Sequence, residues 1–258
     1  MWRRPNVGVV RTVQVIGIGA GAPDHLTLQA VAALNRTDVF LLVEKGEPTA
    51  DLAGLRAELL ARHVSRPFRV ATMPDPERDR AAADYEDAVA DWQRRRAAHY
   101  AHALAEEVPD GGVGSFLVWG DPAIYDGTLR ILGDLGAIGG VPLTVVSIPG
   151  ISAVQALAAA HRLVLSRVGG SFTVTTGRRL ARAGMTGDDV VVMLDAGCAF
   201  ADLPETGVDI FWGAYLGSPD EVLVAGDLAA VKGEIVAVRA RERARKGWIM
   251  DTYLLRRR

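Results

Sequence analysis

The chain has 258 residues, 49% of them hydrophobic and 23% charged, with a net charge of −2. That is enough apolar material for one large or two modest cores without disulfide staples, and the single cysteine, Cys198, excludes a disulfide framework or a Cys-rich zinc site. Near-neutral charge gives no electrostatic footprint for nucleic acid or an anionic membrane. In chain order, the basic opening Met1-Trp2-Arg3-Arg4-Pro5 is followed by neither a signal-peptide segment nor a bilayer-length apolar run. Residues 1–11 therefore read as a loose tail, and the protein as cytoplasmic, with no nucleic-acid or membrane partner.

The first element expected is a buried strand over Thr12–Ile18 that breaks into glycine. A helix is expected over Leu26–Arg36, with Leu28, Val31, Ala32 and Leu34 near one face, then a strand over Val39–Val43 ending at Glu44-Lys45-Gly46. This β-α-β order is that of a parallel sheet with right-handed crossovers. A long polar helix over Ala81–Glu107 carries Arg94-Arg95-Arg96, read as a solvated face. Its His99 and His102 have no third ligand nearby, so no metal site is expected. Strands over Phe116–Trp119 and Leu143–Ile148 follow, with a helix around Thr128–Leu135 between them.

Beyond the boundary expected between Pro149 and Arg167, strands crowd together: Phe172–Thr176, Val190–Leu194, Asp209–Trp212, Val222–Ala225 and Ile249–Leu254, with a helix over Leu228–Arg245. This spacing predicts a mixed sheet with antiparallel pairs. The expectation is an α/β protein in two lobes: 12–150, with a mostly parallel sheet, and 151–258, with a mixed one.

Three loops carry the chemistry. Gly17-Ile18-Gly19-Ala20-Gly21-Ala22 fits a loose dinucleotide pattern, and Glu44 stands where a ribose-binding acid would, so an NAD-dependent oxidoreductase is one reading. Against it, Pro23-Asp24-His25 delays the helix, and Pro23 lacks the amide hydrogen a phosphate would use. Gly120-Asp121-Pro122-Ala123-Ile124-Tyr125 follows a strand directly, where an open α/β sheet forms its ligand crevice. Pro149-Gly150-Ile151-Ser152-Ala153 is again strand, sharp turn, helix; Ser152 suits either a helix cap or a ligand contact. A non-catalytic sensor of SAM or a nucleotide is the remaining alternative.

Taken together and in this order, the three loops resemble the tetrapyrrole methylases, the class III methyltransferases that use S-adenosylmethionine (SAM), over nearly the whole chain. Glu44-Lys45-Gly46-Glu47 and the C-terminal Gly247-Trp248-Ile249-Met250-Asp251-Thr252-Tyr253-Leu254-Leu255 look like the deacetylating branch of the cobalamin pathway. Two departures stand out: Ala20-Gly21-Ala22-Pro23 replaces the family's Gly-Asp-Pro, and Trp119-Gly120-Asp121-Pro122 its Gly-Gly-Asp-Pro. The resemblance implies SAM in a cleft between two lobes, S-adenosylhomocysteine (SAH) as product, a precorrin-type tetrapyrrole substrate and a homodimer. It implies a cofactor shell of Pro23, Gly120, Asp121, Ile124, Tyr125, Ser152, Ala153, Met193 and Tyr215. Deacetylation requires a base and an oxyanion stabiliser, for which Glu44, Lys45 and Asp24 are the candidates on strand-end loops. Substrate carboxylates need fixed cations, for which Arg178 and Arg179 are the candidates.

Overall fold

The computed structural model describes residues 10–44, 50–77, 85–137, 142–203 and 206–258. These divide into two compact units. One takes the described residues up to Gly19 together with Leu26–Gly150, the other Ala20–His25 together with Ile151–Arg258. Most of the expected N-terminal tail lies outside the described residues.

The first unit runs β1 (Arg11–Gly17), α1 (Leu28–Leu34), β2 (Val39–Glu44), α2 (Ala50–His63), β3 (Arg69–Pro74), α3 (Tyr85–Glu107), β4 (Val113–Val118), α4 (Thr128–Ala137) and β5 (Leu143–Ile148). Its five strands are all parallel in the order β3-β2-β4-β1-β5. The strand period of two distributes β1 between two cores. Val13 and Val15 pack with Tyr100 and Leu104 of α3 and Ile131 and Leu132 of α4. Ile16 packs with Ala30, Ala33 and Leu34 of α1 and Leu59 and Leu60 of α2. Each fully buried aliphatic contributes about 1.5–3 kcal/mol. Adjacent strands β1 and β4 thus send their following helices to opposite faces, which is the topological condition for a ligand crevice at their carboxyl ends.

Three expectations need correction here. The face α1 buries is Ala30, Ala33 and Leu34, while Leu28 is 90% exposed. Leu28 is the first helical residue, before a turn has formed to carry it inward. The arginine run is not uniformly solvated: Arg94 and Arg95 are exposed beside Asp91, but Arg96 is buried against Asp75 at 2.8 Å, under the Trp92 ring. Finally, β3 and α2 were not foreseen.

The second unit contains α5 (Ala153–His161), β6 (Thr173–Thr176), α6 (Gly177–Ala183), β7 (Asp189–Met193), β8 (Val208–Ala214), β9 (Val222–Asp227), α7 (Leu228–Lys246) and β10 (Asp251–Arg257). Its sheet is mixed, in the order β6-β7-β10-β8-β9. Strands β6 and β7 are parallel and every other pair is antiparallel. Helix α7 starts where the Asp227 carboxylate accepts from the amides of Ala229 and Ala230, and stops at Gly247, whose φ of 78° suits glycine. Leu228, Ile235, Val238, Arg239 and Glu242 form its buried face. The last strand starts two residues later than expected, because the chain leaving Gly247 must first reverse onto the sheet.

Candidate cofactor and substrate site

In the first unit the loops after β1, β4 and β5 are knitted together by backbone. Ile18 N–H donates to the Val118 carbonyl at 2.9 Å, and Gly120 N–H to the Gly19 carbonyl at 2.8 Å. A Cβ on Gly17 would lie 2.7 Å from both the Gly120 oxygen and the Gly150 nitrogen, so only glycine permits this approach. Asp121 staples the knot: its carboxylate accepts from Ala123 N–H at 2.8 Å and from Gly150 N–H at 2.9 Å. Ile124 is half-buried, and Tyr125 is 48% exposed on a left-handed backbone, φ 54°.

Helix α1 does not offer the amide cluster that a pyrophosphate requires. It begins at Leu28, well past the glycines, and Thr27 Oγ1 already caps it by accepting from Ala30 N–H. The same Thr27 hydroxyl donates to the Pro149 carbonyl.

In the second unit, the carboxyl ends of β6, β7 and β8 and the start of β10 share one edge of the sheet. Met193 closes β7, half-buried, opposite Thr252. Leu194 follows at φ 53° with 65% of its surface exposed. A buried polar network fixes this edge. Asp251 accepts from Arg239 Nε at 2.8 Å and from Trp212 Nε1 at 3.0 Å. Arg239 also donates to the Asp195 carbonyl, and the Asp195 carboxylate accepts from Ala199 N–H and the Tyr253 hydroxyl. Burial, reinforced by Asp195, pushes the Tyr253 phenol far above its ordinary pKa. Burial opposes the Arg239 charge, but the hydrogen bond and charge of Asp251 outweigh it and keep the guanidinium protonated.

Ser152 N-caps α5, accepting from Val154 N–H, and forms a capping box with Gln155. Its hydroxyl is committed to the helix. Tyr215 is buried with φ 51°, and its hydroxyl is shared between the carbonyls of Trp248 and Glu242. What it presents to a ligand is therefore backbone. Pro23 and Asp24 form a 3-10 turn with His25. That turn belongs to the second unit, where Gly21 and His25 lie against Leu216 and Gly217. Glu44 ends β2 opposite Pro74, and Lys45 lies outside the described residues. Arg178 and Arg179 are exposed, but they occupy the first turn of α6 rather than an open loop. The Asp195 side chain sits where a Cβ on Gly177 would be, and Thr176 caps the helix at Arg179 N–H.

The family model of the tetrapyrrole (corrin/porphyrin) methylases matches residues 12–232. The chain belongs to that family. A precorrin-6A synthase [deacetylating] from Sinorhizobium sp. is 42% identical over 96% of each chain. Among solved structures, CobF from Corynebacterium diphtheriae, described as cobalamin synthesis related, superposes with a TM-score of 0.81 at 35% identity, over 96% of this chain and 99% of that one. A uroporphyrin-III C-methyltransferase from Thermus thermophilus, complexed with S-adenosylhomocysteine, shares the fold alone, with a TM-score of 0.58 at 20% identity over 95% and 92% of the chains.

As a tetrapyrrole methylase the chain uses SAM chemistry. The strand-end groups described above fit such a cofactor. Non-glycine residues in the left-handed region follow β4, β7 and β8: Tyr125, Leu194, Cys198 and Tyr215. Such conformations cost about 1–3 kcal/mol each and cluster at ligand clamps. In the first unit the loop after β4, and in the second unit the loops after β7 and β8, each offer mainly backbone amides and carbonyls, groups that suit a nucleoside better than a phosphate. Sequence reasoning passed over Leu194, Asp195, Arg239 and Asp251. A buried Arg–Asp pair twelve residues apart leaves no local pattern, and Leu194, at the end of the apolar run Val190–Leu194, reads as strand.

Proposed function

We propose that this methylase is a precorrin-6A synthase of the deacetylating type, converting precorrin-5, SAM and water to precorrin-6A, SAH and acetate. The observation that carries the reading is the relative of that name, 42% identical across 96% of each chain. The match extends over 250 residues. We take the enzyme to act as a homodimer, as the family resemblance implies, and in the cytoplasm.

SAM supplies an activated methyl group, so the chain's own work is to align, desolvate and move protons. Proximity and orientation can lower such a barrier by roughly 7–11 kcal/mol. The proposed cofactor shell comprises Gly120, Asp121, Ile124 and Tyr125 with Pro23, Ser152, Ala153, Met193 and Tyr215. Asp121, Ser152 and Tyr215 serve by shaping backbone, since their side chains are already bonded within the protein.

Water adds to the acetyl carbonyl and loses a proton to a base. Collapse of the adduct breaks the bond to C1 and releases acetic acid, leaving the electron pair on C1. That carbon takes the methyl group. Asp24 and Glu44 are the proposed bases and Lys45 the proposed oxyanion partner, while Arg178 and Arg179 are proposed to bind substrate carboxylates. The test is stoichiometry: acetate released and SAH formed in a one-to-one ratio from precorrin-5. SAH without acetate would reject the deacetylating assignment, and neither product would reject the whole reading.

A further inference from the structure

At the carboxyl edge of the first unit's sheet, Arg56 of α2 meets Trp119, which follows β4 and directly precedes Gly120. The guanidinium lies over the indole, 5.3 Å from its centroid. Leu59 and Leu60, one turn further along α2, hold the helix in the core against which Trp119 also packs. The pair is fixed from both sides, yet chemically incomplete. Arg56 Nε and Trp119 Nε1 are both buried, and neither has a hydrogen-bond acceptor. Among the described residues no carboxylate pairs with Arg56, and burial depresses its pKa. The two more deeply buried arginines each face a carboxylate: Arg96 lies 2.8 Å from Asp75 as an ion pair without hydrogen-bond alignment, and Arg239 is bonded to Asp251. A ring face attracts a cation but accepts nothing in the plane of the guanidinium, so the buried Nε–H remains to be satisfied. Leaving Arg56 Nε and Trp119 Nε1 unmet costs free energy unless a ligand meets them.

We propose that Arg56 is an anion-binding residue of the site, its fork receiving a carboxylate with Trp119 Nε1 as a second donor. The ring restrains the guanidinium before the ligand arrives, and a planar fork suits a two-oxygen acceptor. The inference rests on the reading as a precorrin methylase, and that reaction supplies such carboxylates from two sources. One is an acetate or propionate arm of the macrocycle; the other is the methionine end of SAM.

Arg56→Met keeps an unbranched stem on the indole and removes the fork, whereas Arg56→Lys keeps the charge without the fork. Two probes separate the sources: SAH by calorimetry, and uroporphyrin III, a stable macrocycle with acetate and propionate arms, by quenching of tryptophan fluorescence. Arg56→Met is expected to bind one probe about ten- to a hundredfold more weakly. Arg56→Lys is expected to recover only part of that loss. A deficit confined to uroporphyrin assigns the macrocycle, and one confined to SAH assigns the methionine end. The ligand-free thermal midpoint of Arg56→Met should not fall, because an uncompensated cation has been removed. If Arg56→Met binds both probes as the parent does, the proposal is wrong. Should that variant not fold, parent-like binding of both probes by Arg56→Lys overturns it equally. A parent that binds SAH and methylates precorrin-5 while Arg56→Met does so with unchanged KM refutes this inference alone. An inactive parent refutes the underlying reading instead.

Discussion

Removing the Asp121 carboxylate tests the structural account of the glycine knot. In Asp121→Ala two backbone donors lose their acceptor, Ala123 N–H at 2.8 Å and Gly150 N–H at 2.9 Å. A hydrogen bond to a charged group contributes about 1.5–3 kcal/mol. Ala123 is exposed, so water replaces much of its bond; Gly150 is half-buried between the Gly17 and Gly120 backbones and regains less. A net loss of about 2–4 kcal/mol follows. Asp121→Asn keeps one acceptor oxygen and turns an amide donor toward the other N–H, so it should lose roughly half as much. Urea unfolding reads both values, with the midpoint falling at unchanged slope. If Asp121→Ala lies within about 0.5 kcal/mol of the parent, the carboxylate is not a staple and the reasoning fails.

Gly17→Ala places a methyl 2.7 Å from two backbone atoms that cannot rotate aside, so it should cost at least the roughly 1–3 kcal/mol of an overpacked core and weaken SAH binding by displacing the loops; a parent-like urea midpoint would contradict this. Asp251→Ala leaves Arg239 buried and uncompensated and should cost about 3–5 kcal/mol, whereas Asp251→Ala with Arg239→Met should recover much of it, as thermal unfolding of both would report. Hydrogen bonds from Arg245 and then Arg241 hold the Glu242 carboxyl below its ordinary pKa, and those from Lys246 and Arg245 do the same for Asp220. Groups depressed in the folded state stabilise it fully above their unfolded pKa, and that contribution is lost as pH falls through the folded value. Unfolding free energy should therefore decline on the acid side of the ordinary carboxylate range, less steeply in Glu242→Gln, and an identical acid limb in that variant would refute the assignment.

Much of the fold was legible because it rests on local pattern. The β-branched runs at Val13-Gln14-Val15-Ile16 and Val190-Val191-Val192 are strands, and α7 begins at Leu228 as expected because Asp227 is a capping residue. The missed elements lack such pattern. Strand β3, Arg69–Pro74, is an edge strand with most of its side chains exposed and a proline at its end, so nothing enforces alternation. Helix α2 carries Gly54 and only a shallow apolar stripe. The charged end of β10 hid its length: the expected strand stopped at Leu254, yet the Arg256 guanidinium is paired with Asp189, 67 residues away in sequence. The site divides the same way. Glycine loops announce themselves by composition, whereas Arg56 over Trp119 depends on α2 packing beside β4, which no spacing in the sequence encodes.

In the proposed reaction one chain both methylates and deacetylates the same macrocycle. The most direct measurement is mass spectrometry of the product formed anaerobically from precorrin-5 with SAM carrying a deuterated methyl group. A single product is expected that has gained one labelled methyl and lost one acetyl, with SAH in equal amount. A labelled product that retains its acetyl group, or unlabelled precorrin-5 recovered beside intact SAM, would contradict it.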